Sequence, residues 1–489
     1  MRATPSGAPL ALADGLHVAL KADCPTCRLV VPVLRELEEA GTRVHAWFQD
    51  EGDFLHGLSD VRDDSSLETS FRLGVHTVPT VIRVEGGKET ARTEGWVRED
   101  WRTLTSLPGL GADLREWQAG CGSLSVLPGV AEILTARYGD PGIKSRPVEV
   151  DRFQDPVEVC YDRGWSDGLP VVPPTPERIL RMLSGTVREP GEVIGRMPPD
   201  LAELTVEKVA INAVLAGCRP EYLPLLLGIV ETALDPRFTL HGVTCTTCFS
   251  SPVIVVNGPV ARRLGMNPGI GALGPGNRAT ATIGRALNLI VRNVGGGRPG
   301  EIDRSTLGAP SKFTFCFAED ESDPAWEPLS VARGIPPGKS AVTLFQGEGI
   351  QGVVDQRSRT PEELTRSLAA SLLAVNHTKL CQWGNAILVL APEHYGIFKA
   401  AGWDRARITA ELQAATTRPG AEVVRGAGGI GEGVPAERAG DPAIPKFHPN
   451  GLLLVRAGGP AGLYSAIISG WIGGRAADES QPVTREILA

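Results

Sequence analysis

The stretch that most restricts the fold is LHVALKADCPTCRLVVPVLREL, residues 16–37, in which an apolar strand-like run leads directly into a helix-like run. The apolar residues of LHVAL predict a strand, and the spacing from Arg28 to Glu39, ended by Gly41, predicts a helix. A strand followed at once by a helix is typical of α/β folds. Cys24 and Cys27 lie at the junction, so the sequence predicts a thiol pair at a helix start.

The residues that follow continue the alternation of strands and helices. RVHAWFQ predicts a second strand, and TVIRVEGGKETARTEGW predicts a hairpin that turns at Gly86 and Gly87. A helix through Trp101 and Leu104 is expected next. We therefore predict an α/β unit at the N-terminus.

Three features of this unit, Cys24-Pro25-Thr26-Cys27, Pro32 and Val78-Pro79-Thr80, resemble thioredoxins and glutaredoxins over residues 14–108. The resemblance implies that Cys24 is the exposed attacking thiol, that Cys27 is the resolving thiol and that Pro79 is a cis proline beside them. A helix N-terminus independently favours a thiolate at Cys24, because the helix dipole and free N–H groups stabilise negative charge.

The motif also departs from the thioredoxin pattern. Asp23 stands where those proteins commonly have Trp, Pro25-Thr26 is closer to glutaredoxins, and Val18 stands where thioredoxins carry a buried carboxylate. Asp23 would oppose a thiolate at Cys24 by like-charge repulsion. These departures favour a dedicated redox partner, and a docking module with an inert cysteine pair is the alternative.

The length of the chain, 489 residues, predicts more than one domain. We predict a thioredoxin-like domain at 1–108, a linker with short helices at 109–150, rich in Gly and Pro, and a larger α/β catalytic domain at 151–489. Cys121 lies in the predicted linker, as either a third redox thiol or a small buried apolar residue.

Composition excludes several classes of partner. A net charge of -8 without long Lys/Arg runs gives no surface for nucleic acid or an anionic membrane. No stretch reaches about 18 uncharged apolar residues, and the first residues lack a signal-peptide pattern, so we expect a cytoplasmic protein. Nine cysteines are a low density for this length and indicate reduced thiols rather than a disulfide scaffold.

A second CxxC pair occurs in HGVTCTTCFSSPVIVVNG, where Cys245 and Cys248 are predicted in a loop between the strand-like runs FTLHGV and VIVVNG. Neighbouring hydroxyl groups are expected to stabilise a thiolate. His241, Cys245 and Cys248 also match part of a metal-ligand pattern, so a metal site and a structural pair remain alternatives.

An anion-binding segment is predicted in GALGPGNRATATIGRALNLIVRNVGGG, where a glycine loop ends at Asn277 and a helix follows. Arg278, Arg285 and Arg292 are seven residues apart and form one stripe on that helix. A solvated basic face or pairing with acidic residues is the alternative. The predicted substrate-binding residues are Gly276, Asn277, Arg278 and Arg285.

His394, in AILVLAPEHYGIFKAAGW, follows a predicted strand and precedes a predicted helix. It is the best candidate for a general acid or base near neutral pH, and a buried structural histidine is the alternative.

LLLVRAGGPAGLYSAIISGW predicts a strand, a glycine loop and a helix.

Segments of the larger region, GWSDGLPVVPPTPERILRML, LGPGNRATATIGRALNLIVRNVGG and APEHYGIFKAAGW, resemble bacterial proteins that accompany UGSC-motif (seleno)proteins. That resemblance covers most of residues 150–475 and implies thiol chemistry with a thiol or selenol partner protein.

These features together predict a thiol-disulfide redox enzyme. Cys24 and Cys27 would pass electrons to a site with Cys245 and Cys248, which acts on a small anionic or sulfur-containing molecule. The expected redox group is the cysteine disulfide itself. The alternatives are a protein that handles a soft metal and a redox-sensing interaction protein without catalysis.

Overall fold

The computed structural model describes residues 10–382, 384–470 and 481–488. Contacts divide the chain into two compact units. The first extends to Ile143 and includes Thr175–Arg181; the second comprises Lys144–Pro174 and the chain from Met182 onward. Both units combine helices with mixed β-sheets, which confirms the predicted α/β class.

Over residues 10–143 the first unit contains nine short strands and four helices. The strands are β1 Gly15–Leu20, β2 Val44–Phe48, β3 Val61–Asp63, β4 Thr77–Val78, β5 Thr80–Glu85, β6 Lys88–Glu94, β7 Trp96–Val97, β8 Trp117–Gln118 and β9 Cys121–Gly122. The helices are α1 Pro25–Glu39, α2 Glu68–Arg72, α3 Arg98–Thr105 and α4 Val130–Tyr138.

A five-stranded sheet in the order β3-β2-β1-β5-β6 organises the first unit. β1 is parallel to β2, and β2 to β3, whereas β5 is antiparallel to β1 and forms a hairpin with β6. The hairpin turns at Gly86 and Gly87, whose positive φ angles suit glycine, as predicted. The apolar face of α1 and the rings of Trp96 and Trp101 share one core with the buried face of the sheet.

The predicted linker contains ordered structure of the first unit. β8 pairs with β7, β9 pairs with β4, and α4 follows a 3-10 turn at Leu124–Val126. Residues 140–155 contain neither a helix nor a strand. The segment 109–138 is therefore built into the first unit through short strand pairs that the Gly- and Pro-rich composition did not predict.

The remaining elements follow residue 155. The helices are α5 Pro156–Asp162, α6 Pro176–Leu183, α7 Val206–Ala216, α8 Leu223–Ala233, α9 Leu240–Cys245, α10 Pro259–Arg263, α11 Arg278–Asn293, α12 Leu329–Ala332, α13 Pro361–Leu373, α14 Pro392–Ala400, α15 Arg405–Ala415 and α16 Gly420–Val423. The strands are β10 Val193–Met197, β11 Ala202–Thr205, β12 Ser251–Asn257, β13 Cys316–Ala318, β14 Ala341–Val354, β15 Gly384–Leu390, β16 Phe447–Arg456, β17 Tyr464–Gly470 and β18 Val483–Glu486. Other 3-10 turns lie at Asp53–Leu55, Pro220–Tyr222, Pro236–Phe238, Pro310–Lys312, Ala427–Gly429 and Ala436–Gly440.

The second unit is built on a seven-stranded mixed sheet in the order β13-β12-β14-β17-β15-β16, with β18 beside β14. β12 is parallel to β13 and β15 to β16, and the other pairs are antiparallel. Alternate residues of β15 belong to two different cores: Leu388 packs with α13, α14 and α15, and Ile387 packs with β12 and β14. Burial of both faces accounts for the continuous apolar run AILVL.

Two predicted elements have the wrong secondary structure. FTLHGV, expected to be a strand, forms a 3-10 turn and the start of α9, and YSAIISG, expected to be a helix, forms β17. Both are short apolar runs whose type cannot be decided by periodicity. YSAIISG becomes a strand because it fills the gap between β14 and β15.

Among the described residues, no helix combines the length and apolar character needed to cross a membrane.

Candidate functional site

Cys24 is positioned by the end of β1 and the start of α1. Its backbone is extended (φ -91°, ψ 115°), it is the N-cap of α1, and its Sγ accepts a hydrogen bond from the Cys27 N–H at 3.4 Å. Pro25 begins the helix, where its missing N–H costs nothing. The sequence thus places Cys24 Sγ among the free N–H groups of the first turn.

The surroundings of Cys24 favour its thiolate. The pKa of Cys24 is lowered to about 5, chiefly by a hydrogen bond from the Cys27 thiol, with contributions from the Cys121 thiol and the N–H groups of Cys27 and Thr26, while burial opposes the shift. Burial and the neighbouring Cys24 raise the pKa of Cys27 far above its usual range. Cys24 is therefore the thiol of the pair that ionises more readily, and Cys27 holds its proton.

Pro79 lies next to this pair. The Val78–Pro79 peptide bond is cis, as the resemblance implied, and Cys24 Sγ lies 3.5 Å from the Val78 carbonyl oxygen. Asp23 does not prevent the thiolate from forming, because its exposed side chain pairs with Lys21 at 3.1 Å. Lys21 in turn lies within electrostatic reach of Cys24, so the two charges beside the thiol offset each other.

The expected exposure of Cys24 is wrong. Cys24 and Cys27 are both 0% exposed. Residues 117–122, here called the strap, lie over them: β8 pairs with β7, β9 pairs with β4, and the Thr26 hydroxyl donates to the Ala119 carbonyl at 2.5 Å. Sequence reasoning missed this cover because it depends on pairing between distant short strands.

Cys121 is the third thiol of this site. It pairs with Val78 across the β4–β9 ladder, is partly exposed, and packs against the core that contains Cys24 and Cys27. The neighbouring Cys24 is the main cause of the raised pKa of Cys121, so Cys121 stays protonated while Cys24 ionises. The first unit thus brings together Cys24, Cys27 and Cys121.

Cys245 and Cys248 lie in the second unit, partly exposed, at the end of α9 and in the turn before β12. Ser305 donates to the Cys248 carbonyl at 3.1 Å, and the Thr306 N–H donates to the Thr247 carbonyl at 2.9 Å, so a second loop fixes this turn.

The expected stabilisation of a thiolate by nearby hydroxyls is not met at Cys245. Burial, followed by the charges of Asp303 and Asp200, raises the pKa of Cys245. The hydroxyls of Thr244 and Ser250 donate instead to backbone carbonyls of α9. Cys245 is therefore a protonated thiol at neutral pH and a poor nucleophile in its reduced form.

A cavity of ≈ 300 Å³ adjoins the Cys245–Cys248 turn. Thr244 and Ser250, which flank the turn, and Ser305, which anchors it, line the cavity wall. Other lining residues are Asp167, Ser251, Asn288, Arg292, Asp303 and Lys312. The volume suits a small molecule.

Ion pairs neutralise the two carboxylates of this cavity, and two buried polar atoms of its lining residues have no hydrogen-bond partner within the described residues. Arg285 neutralises Asp167 through two hydrogen bonds, and Lys312 neutralises Asp303 at 2.7 Å. Arg292 Nε and the Oγ of Ser251, which is 2% exposed, are buried and have no hydrogen-bond partner within the described ranges. Arg292 is partly exposed in the cavity wall and forms no ion pair within the described ranges, so its positive charge is not neutralised there.

The four predicted substrate-binding residues serve the fold. Arg278 donates twice to the Gly217 carbonyl, at 3.0 and 2.9 Å, and Arg285 binds Asp167. Asn277 caps α11 by accepting from the Thr280 N–H, so the predicted helix start is confirmed. Gly276 precedes the cap with φ +111°. The member of the arginine stripe that lines the cavity is Arg292.

His394 lies inside α14 and is fully buried. Its Nδ1 is 2.8 Å from the Ser465 hydroxyl and its Nε2 is 3.1 Å from the Asp355 carbonyl. Both ring nitrogens have partners within the protein, which is the arrangement of a structural histidine.

The metal alternative finds no support in the geometry. Over residues 10–382, 384–470 and 481–488, no three His, Cys, Asp or Glu side chains form a group that could hold a metal ion. His241, Cys245 and Cys248 lie within those ranges.

Comparison of the chain with protein-family models, with curated proteins and with solved structures found no match.

Proposed function

We propose that this chain is a thiol-disulfide oxidoreductase with a thioredoxin-like N-terminal unit. Cys24 and Cys27 pass two electrons to the Cys245–Cys248 disulfide, which acts beside the cavity on a small anionic or sulfur-containing substrate. The observation that carries the proposal is the contrast within the first pair, where Cys24 has a pKa of about 5 and the buried Cys27 retains its proton.

The arrangement of the first unit supports the thioredoxin-like assignment. Parallel β1 and β2 flank α1 in sequence, β5 is antiparallel to β1, and the cis bond at Pro79 precedes β5 beside the N-terminus of α1. These features agree with the CPTC motif and the Val-Pro-Thr segment on which the resemblance rests.

The proposed transfer has two exchange steps. The Cys24 thiolate attacks one sulfur of the Cys245–Cys248 disulfide, forming a mixed disulfide and releasing the other cysteine as a thiolate. Cys27 then gives its proton to the released thiolate and attacks Cys24 Sγ. The products are a Cys24–Cys27 disulfide and the reduced Cys245–Cys248 pair, so two electrons have moved.

The environment of Cys24 supplies the attacking group of this transfer. Its low pKa leaves Cys24 ionised at neutral pH, so the exchange starts without prior loss of a proton. Fusion of both pairs in one chain also raises the effective concentration of each for the other.

The cavity supports a small anionic substrate. Arg292 in its wall is partly exposed and forms no ion pair within the described residues, whereas the acidic groups Asp167 and Asp303 are neutralised by cations. The nine free cysteines suit the reducing cytoplasm, which we propose as the compartment, with a thiol or selenol protein as partner.

Trapping of the mixed disulfide tests the transfer. In Cys27→Ser/Cys121→Ser the thiols next to Cys24 are removed, so Cys24 should remain linked to Cys245 or Cys248 after mild oxidation. Mass spectrometry of a non-reduced digest should show the joined peptides. The matched control, with Cys24→Ser added, should not. If Cys24 links only to external thiols, transfer within the chain is wrong.

A further inference from the structure

The strap places Cys121 at the surface of the first cysteine pair. Trp117–Gln118 pairs with Trp96–Val97, and Cys121–Gly122 pairs with Thr77–Val78. Gly120 lies between these two ladders, and a Cβ there would come within 2.4 Å of the Thr77 methyl carbon and 2.7 Å of the Val78 carbonyl oxygen. The close approach therefore requires glycine, and it lets the strap lie directly against β4.

The three thiols of the cluster differ in solvent exposure. Cys24 and Cys27 are 0% exposed, whereas Cys121 is partly exposed and packs against the core that contains both. A disulfide partner in solution therefore meets Cys121 first. Cys24 Sγ lies 3.5 Å from the carbonyl oxygen of Val78, the residue that Cys121 pairs with across the ladder, so the two cysteines adjoin the same residue.

We propose that Cys121 is a third redox-active thiol, which exchanges with disulfide partners in solution and connects them to Cys24 and Cys27 through a Cys24–Cys121 disulfide. The proposal rests on the thiol-disulfide chemistry of the first unit and is independent of transfer to Cys245 and Cys248.

The reaction with a partner disulfide R–S–S–R proceeds as follows. Cys121 ionises to its thiolate, attacks the partner and forms Cys121–S–S–R, and the released RS⁻ takes up a proton. The Cys24 thiolate then attacks Cys121 Sγ, which forms the Cys24–Cys121 disulfide and releases a second RS⁻. Cys27 protonates that thiolate and attacks Cys24 Sγ. The products are two RSH, a Cys24–Cys27 disulfide and Cys121, which regains a proton from solvent.

One consequence is that removal of Cys27 alone does not trap a partner, because Cys121 remains beside Cys24. Full-length Cys27→Ser treated with oxidised glutathione should release two glutathione molecules and form the Cys24–Cys121 disulfide, identified by mass spectrometry of a non-reduced digest. Cys27→Ser/Cys121→Ser should form no disulfide within the first unit. Persistent glutathione on Cys24 of Cys27→Ser, at the level found in the double variant, would overturn the proposal.

A second experiment keeps the Cys24–Cys27 pair intact. It tests whether Cys121 is the thiol that first reacts with disulfide partners in solution. Cys121→Ser and Cys121→Ala should slow oxidation of the pair by oxidised glutathione about tenfold or more, because the two remaining thiols are covered. Cys160→Ser, which removes a buried cysteine of the second unit, should keep the original rate. Circular dichroism of the two Cys121 variants checks that the first unit is folded.

An unchanged oxidation rate in both Cys121 variants would also overturn the proposal, even if Cys27→Ser forms the Cys24–Cys121 disulfide, since partners would then reach Cys24 directly. These measurements concern the first unit alone. If they contradict the role of Cys121, the proposed transfer to Cys245 and Cys248 is unaffected. If that transfer is disproved, the proposed role of Cys121 is likewise unaffected.

Discussion

Among individual residues, Cys24 illustrates how a local motif and a distant contact act on one sulfur. The CPTC sequence supplies the helix N-terminus and the Cys27 donor, which is the largest cause of the low pKa of Cys24. The Cys121 thiol, which belongs to a separate strand, supplies a further donor to the same atom. The reactivity of Cys24 is therefore expected to depend on a residue outside its motif.

Alkylation of the reduced protein tests this dependence. Cys24 should be labelled in preference to Cys27, with a rate that rises as pH increases through about 5, where its thiolate forms. Cys121→Ala should move that midpoint up by about one pH unit, the effect of one lost hydrogen bond to a charged group. Cys121→Ser, which keeps a hydroxyl donor, should move it less. A midpoint near the ordinary thiol value of about 8.5 would contradict the assignment.

Among the elements, α11 combines structural and binding roles along one stripe of arginines. Arg278 and Arg285 fix the helix to neighbouring segments through Gly217 and Asp167, whereas Arg292, near the C-terminal end, lines the cavity. All three arginines share a face because they are seven residues apart. Contacts with neighbouring segments of the same chain determine which of these arginines remains available for a ligand.

Substitution of Arg292 tests the anion site, with thiosulfate as the probe and calorimetry as the measurement. Arg292→Gln should weaken binding about tenfold or more, as expected for loss of a hydrogen bond from a charged donor. Arg292→Lys should retain part of the affinity, because it keeps the charge but not the planar guanidinium.

Arg425→Gln is the matched control, because Arg425 is an exposed arginine of the same unit and is not among the cavity-lining residues. It should bind thiosulfate like the unaltered protein. Equal weakening in the Arg292 and Arg425 variants would attribute binding to net charge rather than to the cavity.

For the whole molecule, the two units have separate hydrophobic cores. Residues 140–155, near the change from one unit to the other, contain no helix or strand. Lys144 and Ser145 are held by hydrogen bonds to Glu207, whereas residues 149–155 are exposed. We therefore expect the most accessible backbone of this segment to lie between residues 149 and 155.

Limited proteolysis with trypsin should cut first after Arg152, within this exposed stretch. The other nearby sites are less favourable, because Lys144 is hydrogen-bonded and Arg146 precedes Pro147. Arg152→Gln should remove this early cut and delay fragmentation. An early cut within residues 182–470, in either form, would contradict the prediction.

The sequence by itself determined the α/β class, the paired thiols at a helix start, the hairpin at Gly86 and Gly87, and the start of α11 at Asn277. Each follows from neighbours within a few residues, since periodicity, caps and turns are local properties. Only the tertiary structure decided the strap, the third thiol and the availability of Arg292. Those features depend on contacts between segments far apart in the chain, such as Val78 with Cys121 and Arg285 with Asp167, and no local pattern encodes which distant groups will meet.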